Sequence, residues 1–131
     1  MTGTVIWFED LKRGDVATVG GKNSSLGEMV STLAEKGIAV PMGFATTAEA
    51  YRAFIAENDL ETRIAETMAA LNDHRITLAE AGSRVRQMIL DGNWPEAMLT
   101  DIKAAYAEMD RRSGKTDTSV AVRSSATAED L

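Results

Sequence analysis

Cysteine is absent from this 131-residue chain, so disulfides and thiolate metal sites are excluded. Long apolar runs are absent too: none approaches the ~18–20 residues needed to span a bilayer. The early run "VIWF", Val5 to Phe8, is too short for a secretory signal and has no basic stretch before it. Positive charge is in deficit. The formal net charge of −6 argues against nucleic acid and against an anionic membrane surface as partners. No internal repeat or low-complexity tract occurs. These absences predict a soluble, cytoplasmic protein without nucleic-acid or membrane partners.

What is present is the composition of a globular protein, 44% hydrophobic and 26% charged. The length is about one domain, enough to bury roughly two-thirds of the unfolded surface. Val5–Phe8 reads as a short buried strand, followed by a polar turn region around Gly14. Leu26, Met29, Val30 and Leu33 form one stripe of a helix, with Ser25 and Glu28 at capping-box spacing and Gly37 as its stop. The backbone is then extended at least to Pro41. Thr46 and Glu49 give a second capping box, for a helix burying Tyr51, Phe54 and Ile55.

Three further helices are predicted. One covers Leu60–Leu71 with Ile64, Met68 and Leu71 inward. Another covers Thr77–Leu90 with Leu78, Val85, Met88 and Ile89 inward, weakened by Gly82. The third starts after Pro95, a good first-turn residue behind the packing anchor Trp94, and carries Met98, Leu99, Ile102, Tyr106 and Met109. "RRSGKTDT", Arg111 to Thr118, reads as a solvated loop. Ser119–Ser125 alternates as a strand, with Val120 and Val122 on one face and Ala121 and Arg123 on the other. Thr127 and Asp130 suit the start of another helix, and the chain reads as the front portion of a larger protein.

"VGGKNS" is the sharpest local feature. Gly20 and Gly21 permit a tight turn and close approach of a ligand to the backbone, and the following helix offers unpaired N–H groups. Lys22 adds a mobile ammonium suited to phosphate. The P-loop pattern is not met, because Val16 stands where its first glycine would fall and Asn23 replaces Ser or Thr. On the motif alone, a Gly-Gly turn with a solvated lysine is the commoner explanation. Arg123 offers a planar fork of donors that matches two phosphate oxygens, with Ser124, Ser125 and Thr127 nearby. A surface ion pair with Glu129 or Asp130 explains it equally well locally. His74, the single histidine, has nothing near it in sequence to orient it and reads as a solvated loop residue. The acidic residues read as caps and solvated faces, and the methionines as core.

Taken together, "VGGKNSSLGEM", "VPMGFATTAEAYRAF" and "VAVRSSATAEDL" resemble, in order and spacing, the nucleotide-binding domain of the phosphoenolpyruvate synthase (pyruvate, water dikinase) family. "VIWFEDL" and "AGSRVRQMI" are similar as well. Pyruvate, phosphate dikinase and rifampicin phosphotransferase share the Gly-Gly-Lys turn and the Val-Arg-Ser-Ser stretch; Asn23 and "WFEDL" favour the synthase.

The resemblance implies an α+β fold, the helix-rich N-terminal portion of an ATP-grasp-like domain with few strands. It implies a gluconeogenic phosphotransfer in which ATP, pyruvate and water give phosphoenolpyruvate, AMP and phosphate by way of a histidine on another domain. Lys22 and Arg123 would contact the ATP phosphates, supported by Gly20, Gly21, Ser124 and Ser125. No catalytic residue or metal ligand would lie in residues 1–131: the Mg2+ ligands, the phosphohistidine and the pyruvate domain would follow Leu131. This chain alone would be inactive, and an oligomer is compatible with the pattern. The rival reading is a free-standing, non-catalytic nucleotide-binding or interaction module.

Overall fold

The computed structural model describes residues 3–127. The chain forms two compact units, one of Met1–Tyr51 with Glu96–Leu131 and one of Arg52–Pro95. Among the described residues the fold is helix-rich, with a two-stranded sheet.

In the first unit, β1 (Val5–Trp7) pairs antiparallel with β2 (Phe44–Thr46), Ile6 opposite Ala45 and Trp7 opposite Phe44. The Trp7 and Phe44 rings meet edge to face at 5.5 Å, the cross-strand aromatic pair that such a short ladder needs. Phe8 leaves the predicted strand for a 3-10 turn, Phe8–Asp10, and a second turn, Arg13–Asp15, leads into the single-turn helix α1 (Val16–Val19). The polar stretch around Gly14 is therefore helical turns, pinned by Lys12 N–H donating to Asp15 Oδ2 at 2.8 Å.

Leu11, Val19 and Ala45 form the buried centre, with Ile6 and Phe8 packed against it. Helix α2 (Gly21–Glu35) crosses this centre through Gly27. A Cβ at Gly27 would collide with Leu11 and sit 3.0 Å from its carbonyl oxygen. A glycine inside a helix costs about 1 kcal/mol in propensity, and here the close approach offsets it.

Helix α2 begins before the expected cap at Ser25. Gly20 is the residue preceding the helix, so Ser25 and Glu28 lie inside it and form no capping box. Gly37 does take the left-handed conformation of a helix stop, with φ 75°. The cap of α3 (Ala48–Glu57) is Thr47, one residue after the predicted Thr46. Thr47 Oγ1 accepts from Ala50 N–H at 3.1 Å and donates to Gly3 carbonyl at 2.7 Å, joining the start of the chain to the helix.

In the second unit, α4 (Leu60–Asn72) and α5 (Leu78–Leu90) pack on one another. Thr77 caps α5 by accepting from Glu80 N–H at 3.1 Å. The buried positions are Phe54, Leu60, Thr67, Ala70 and Ala81. The larger side chains expected inward at Met68, Leu78 and Ile89 are exposed, as is Tyr51 of the first unit, while the small Ala70 and Ala81 are buried. Asn58 clamps the end of this unit, donating to Phe54 and Asn93 carbonyls and accepting from Asn93 N–H at 2.7 Å. Trp94 packs edge-on to Phe54 at 5.9 Å while remaining about half exposed.

Helix α6 (Glu96–Ser113) belongs to the first unit and buries Ala105 and Met109. It starts directly after Pro95, as the sequence predicts, and continues through Arg111–Ser113, the first residues of the predicted loop. The glutamate that holds its end is Glu108, which accepts from Arg111 and Arg112. Arg112 also pairs with Glu9 at 2.9 Å and lies 4.1 Å from the centre of the Trp7 ring. These two guanidiniums hold the Glu108 carboxyl down at about 2.

Residues 119–125 are not a strand: they run without a ladder partner among the described residues. The alternation is present, but the only sheet described has no strand beside this stretch. Asp130 and Glu129, the expected helix start and ion-pair partner, lie outside the described residues.

Candidate functional site

The chain passes from α1 to α2 at Gly20, whose φ of 87° is open to glycine and strained for any other residue. Gly20 N–H closes α1 on Val16 carbonyl at 2.8 Å, and its own carbonyl accepts from Ser24 N–H at 3.1 Å. One buried residue therefore ends one helix and begins the next.

Against this turn lies the far end of the chain. Gly21 N–H donates to Ala126 carbonyl at 3.1 Å. Asn23 N–H donates to Ser125 Oγ at 3.2 Å, across 102 positions of sequence. A Cβ on Gly20 would strike Ser125 Oγ and lie 2.9 Å from Ala126 N. The glycine thus serves two ends at once, a backbone conformation and the room for Ser125. Two motifs separated by nearly the whole chain meet here.

Asn23 and Ser24 stiffen the turn. Asn23 Nδ2 donates back to Val19 carbonyl at 2.9 Å, and the buried Ser24 donates to Gly21 carbonyl at 3.0 Å. Lys22, the second residue of α2, is exposed, as are Arg123 and Ser124. Of the residues singled out in the sequence, Gly20, Gly21 and Ser125 are in direct contact, Lys22 adjoins that contact, and Arg123 and Ser124 immediately precede Ser125. The Ala126 carbonyl has no sequence signal, and the sequence marks Asn23 only as a motif residue, not as a partner of Val19 and Ser125. The amides of Gly21, Asn23 and Ser24 at this end of α2 are not left unpaired as expected but are taken by Ala126, Ser125 and Gly20, so the positive dipole end and Lys22 are what favour an anion here.

An open groove of about 340 Å³ between β1 and α6 is lined by Trp7, Asp101 and Glu108 among others. Its carboxylates disfavour phosphate, and it includes neither Lys22 nor Arg123. Among the described residues no group of three or more His, Cys, Asp or Glu side chains is placed to hold a metal ion. His74 is exposed at the end of α4 with φ 58°. No helix among the described residues is long and apolar enough to cross a membrane.

Residues 16–131 match the family model of the pyruvate phosphate dikinase AMP/ATP-binding domain. The chain is similar to phosphoenolpyruvate synthase of Neisseria meningitidis serogroup B, 57% identical over 97% of this chain and 16% of that protein. The Synechocystis phosphoenolpyruvate synthase is 49% identical over 99% of this chain and 16% of its own length. That of Escherichia coli is 42% identical over 97% and 16% respectively. This chain spans about a sixth of the curated relatives it matches.

Proposed function

Because the chain belongs to the pyruvate phosphate dikinase AMP/ATP-binding domain family, we propose that it supplies part of the ATP site of a phosphoenolpyruvate-forming dikinase. The observation that carries this reading is the contact of Gly20, Gly21 and Asn23 with Ser125 and Ala126, which unites the two phosphate-directed motifs.

In this reading Lys22 acts as a point charge on an ATP phosphate, and Arg123 grips two phosphate oxygens through its planar fork. Gly20 leaves the room that seats Ser125, Gly21 holds the Ala126 carbonyl, and Ser124 and Ser125 supply hydroxyls beside the turn. Transferring phosphoryl groups are catalysed mainly by position and charge stabilisation, so cations held on a rigid turn are what the chemistry asks for. The reaction assigned to the complete polypeptide converts pyruvate, ATP and water to phosphoenolpyruvate, AMP and phosphate, with a histidine elsewhere carrying the phosphoryl group. The domain would be ATP-grasp-like, of which this chain is the N-terminal, helix-rich part. Magnesium would accompany the nucleotide; the described residues offer it no carboxylate cluster, and the roles of Lys22 and Arg123 do not depend on it.

The test is AMP formation by the complete polypeptide from ATP and pyruvate. Lys22→Ala should slow it by about 10²–10³-fold, the usual cost of removing one preorganised charged donor, with helicity by circular dichroism unchanged. Near-normal AMP formation by that variant would remove the proposal.

A further inference from the structure

Between α6 and the α2 turn, the chain is gripped at a second point. Asp110 Oδ1 accepts from Thr118 N–H at 2.9 Å and from Thr118 Oγ1 at 2.6 Å, while Oδ2 accepts from Asp117 N–H at 3.2 Å. One turn earlier on α6, the Tyr106 hydroxyl donates to the Thr118 carbonyl. Ser113 Oγ lies 3.0 Å from Thr118 Oγ1. Every polar group of Thr118 is thereby engaged, and Asp117 takes a left-handed φ of 52° to allow it. The Thr118 hydroxyl, followed by the Thr118 and Asp117 amides, holds the Asp110 carboxyl below its ordinary range.

A solvated "SGKTD" loop needs no such grip on the residue that follows it. The next anchors along the chain are Ser125 and Ala126 on the start of α2. Residues 119–124 are exposed and form a strap fastened at both ends, and Arg123 lies on it. A strap of fixed length with fixed ends restricts where Arg123 can be, which is what a phosphate-gripping guanidinium requires.

We propose that Asp110, assisted by Tyr106, is a positioning residue: by holding Thr118 it fixes the origin of the strap that carries Arg123 to the start of α2. The proposal rests on the ATP-site reading for Arg123, and on geometry alone for the strap.

Two readouts on the complete polypeptide separate these. The first is trypsin cleavage after Arg123, followed by mass spectrometry. Asp110→Ala should accelerate it several-fold, since local opening governs such cleavage, and Asp110→Asn, which keeps an acceptor oxygen, should do so much less. Thr118→Val, which keeps the shape and loses the hydroxyl, should follow Asp110→Ala and decides the matter if that variant fails to fold. Unchanged cleavage in Thr118→Val and in any folded Asp110→Ala overturns the grip.

The second readout is the KM for ATP in AMP formation. Asp110→Ala should raise it about ten-fold or more, with kcat much less affected, as displacement of a binding group does. Added to Arg123→Ala, the same change should cost little further, because the grip acts through Arg123. Full multiplication of the two effects overturns the positioning role. If Arg123→Ala itself leaves the KM unchanged, the ATP-site reading of Arg123 fails and the positioning proposal fails with it. Loss of the Asp110 effect alone overturns only the positioning role.

Discussion

A side chain at position 20 would have to share space with Ser125 while holding a φ of 87°. Both penalties fall on one residue. Gly20→Ala should therefore lower stability by about 2 kcal/mol, combining left-handed strain with overpacking, read from urea unfolding. It should also weaken ATP binding by displacing Ser125 and Ala126. Arg123 and Lys22 differ in what they need. If Lys22 serves as a point charge on a phosphate, as proposed, Lys22→Arg should keep part of the activity. Arg123→Lys should stay badly impaired, because an ammonium cannot make two parallel contacts with one phosphate. Recovery of most AMP formation by Arg123→Lys would reduce Arg123 to a point charge.

The elements show why some of the structure was legible in sequence and some was not. Helices α4 and α5 start and stop near their predicted bounds because local signals decide them: Leu60 opens one apolar stripe and Thr77 caps the other. Their buried faces were less legible. Ala70 and Ala81 make close helix contacts, and pattern reading favours the larger Met68 and Leu78, which are exposed. The start of α2 differs from the expected Ser25 because Gly20 and the docking of Ser125 set it, and neither is a local side-chain cap. Ser119–Ser125 alternates like a strand, but strand formation depends on a neighbour, which periodicity does not report. The Gly20, Lys22 and Arg123 motifs were legible by residue type; that Ser125 and Ala126 close on the turn, and that Asp110 grips Thr118, were not, because both contacts depend on how the chain folds back.

Gly27→Ala should destabilise the protein by about 1–3 kcal/mol, since the added methyl meets the Leu11 backbone, which cannot rotate away. An unchanged urea midpoint would show that α2 and Leu11 can separate freely. Glu108 supplies a pH dependence. Its carboxyl is depressed from 4.5 to about 2, so its contribution is present above pH 4.5 and is lost as pH falls towards 2. Glu108→Gln should flatten the melting temperature against pH across that window. Equal slopes in variant and parent would mean that Arg111 and Arg112 give Glu108 no net preference for the folded state.

For the whole molecule, the proposed function asks a chain of net charge −6 to attract a polyanion. At physiological ionic strength charges are screened over ~8 Å, so nearby cations and backbone N–H groups decide affinity more than net charge does. On the proposed reading Lys22 and Arg123 would supply two such contacts, which would have to offset the loss of ligand and side-chain freedom. The 131-residue chain alone should then bind Mg-ATP far more weakly than the complete polypeptide, of which relatives are about six times longer. Micromolar binding by this chain would mean that it is a self-sufficient nucleotide module.

On the proposed reading the Gly20–Lys22 turn and the strap bearing Arg123 form one phosphate site. Calorimetric titration of ATP into the complete polypeptide, with Lys22→Ala, Arg123→Ala and the double variant, tests it most directly. The account predicts that each single change weakens binding by about ten-fold or more, as charged hydrogen bonds of ~1.5–3 kcal/mol imply. The double variant should lose less than the product of the two, because both groups hold the same phosphates. Unchanged affinity in both single variants would contradict it.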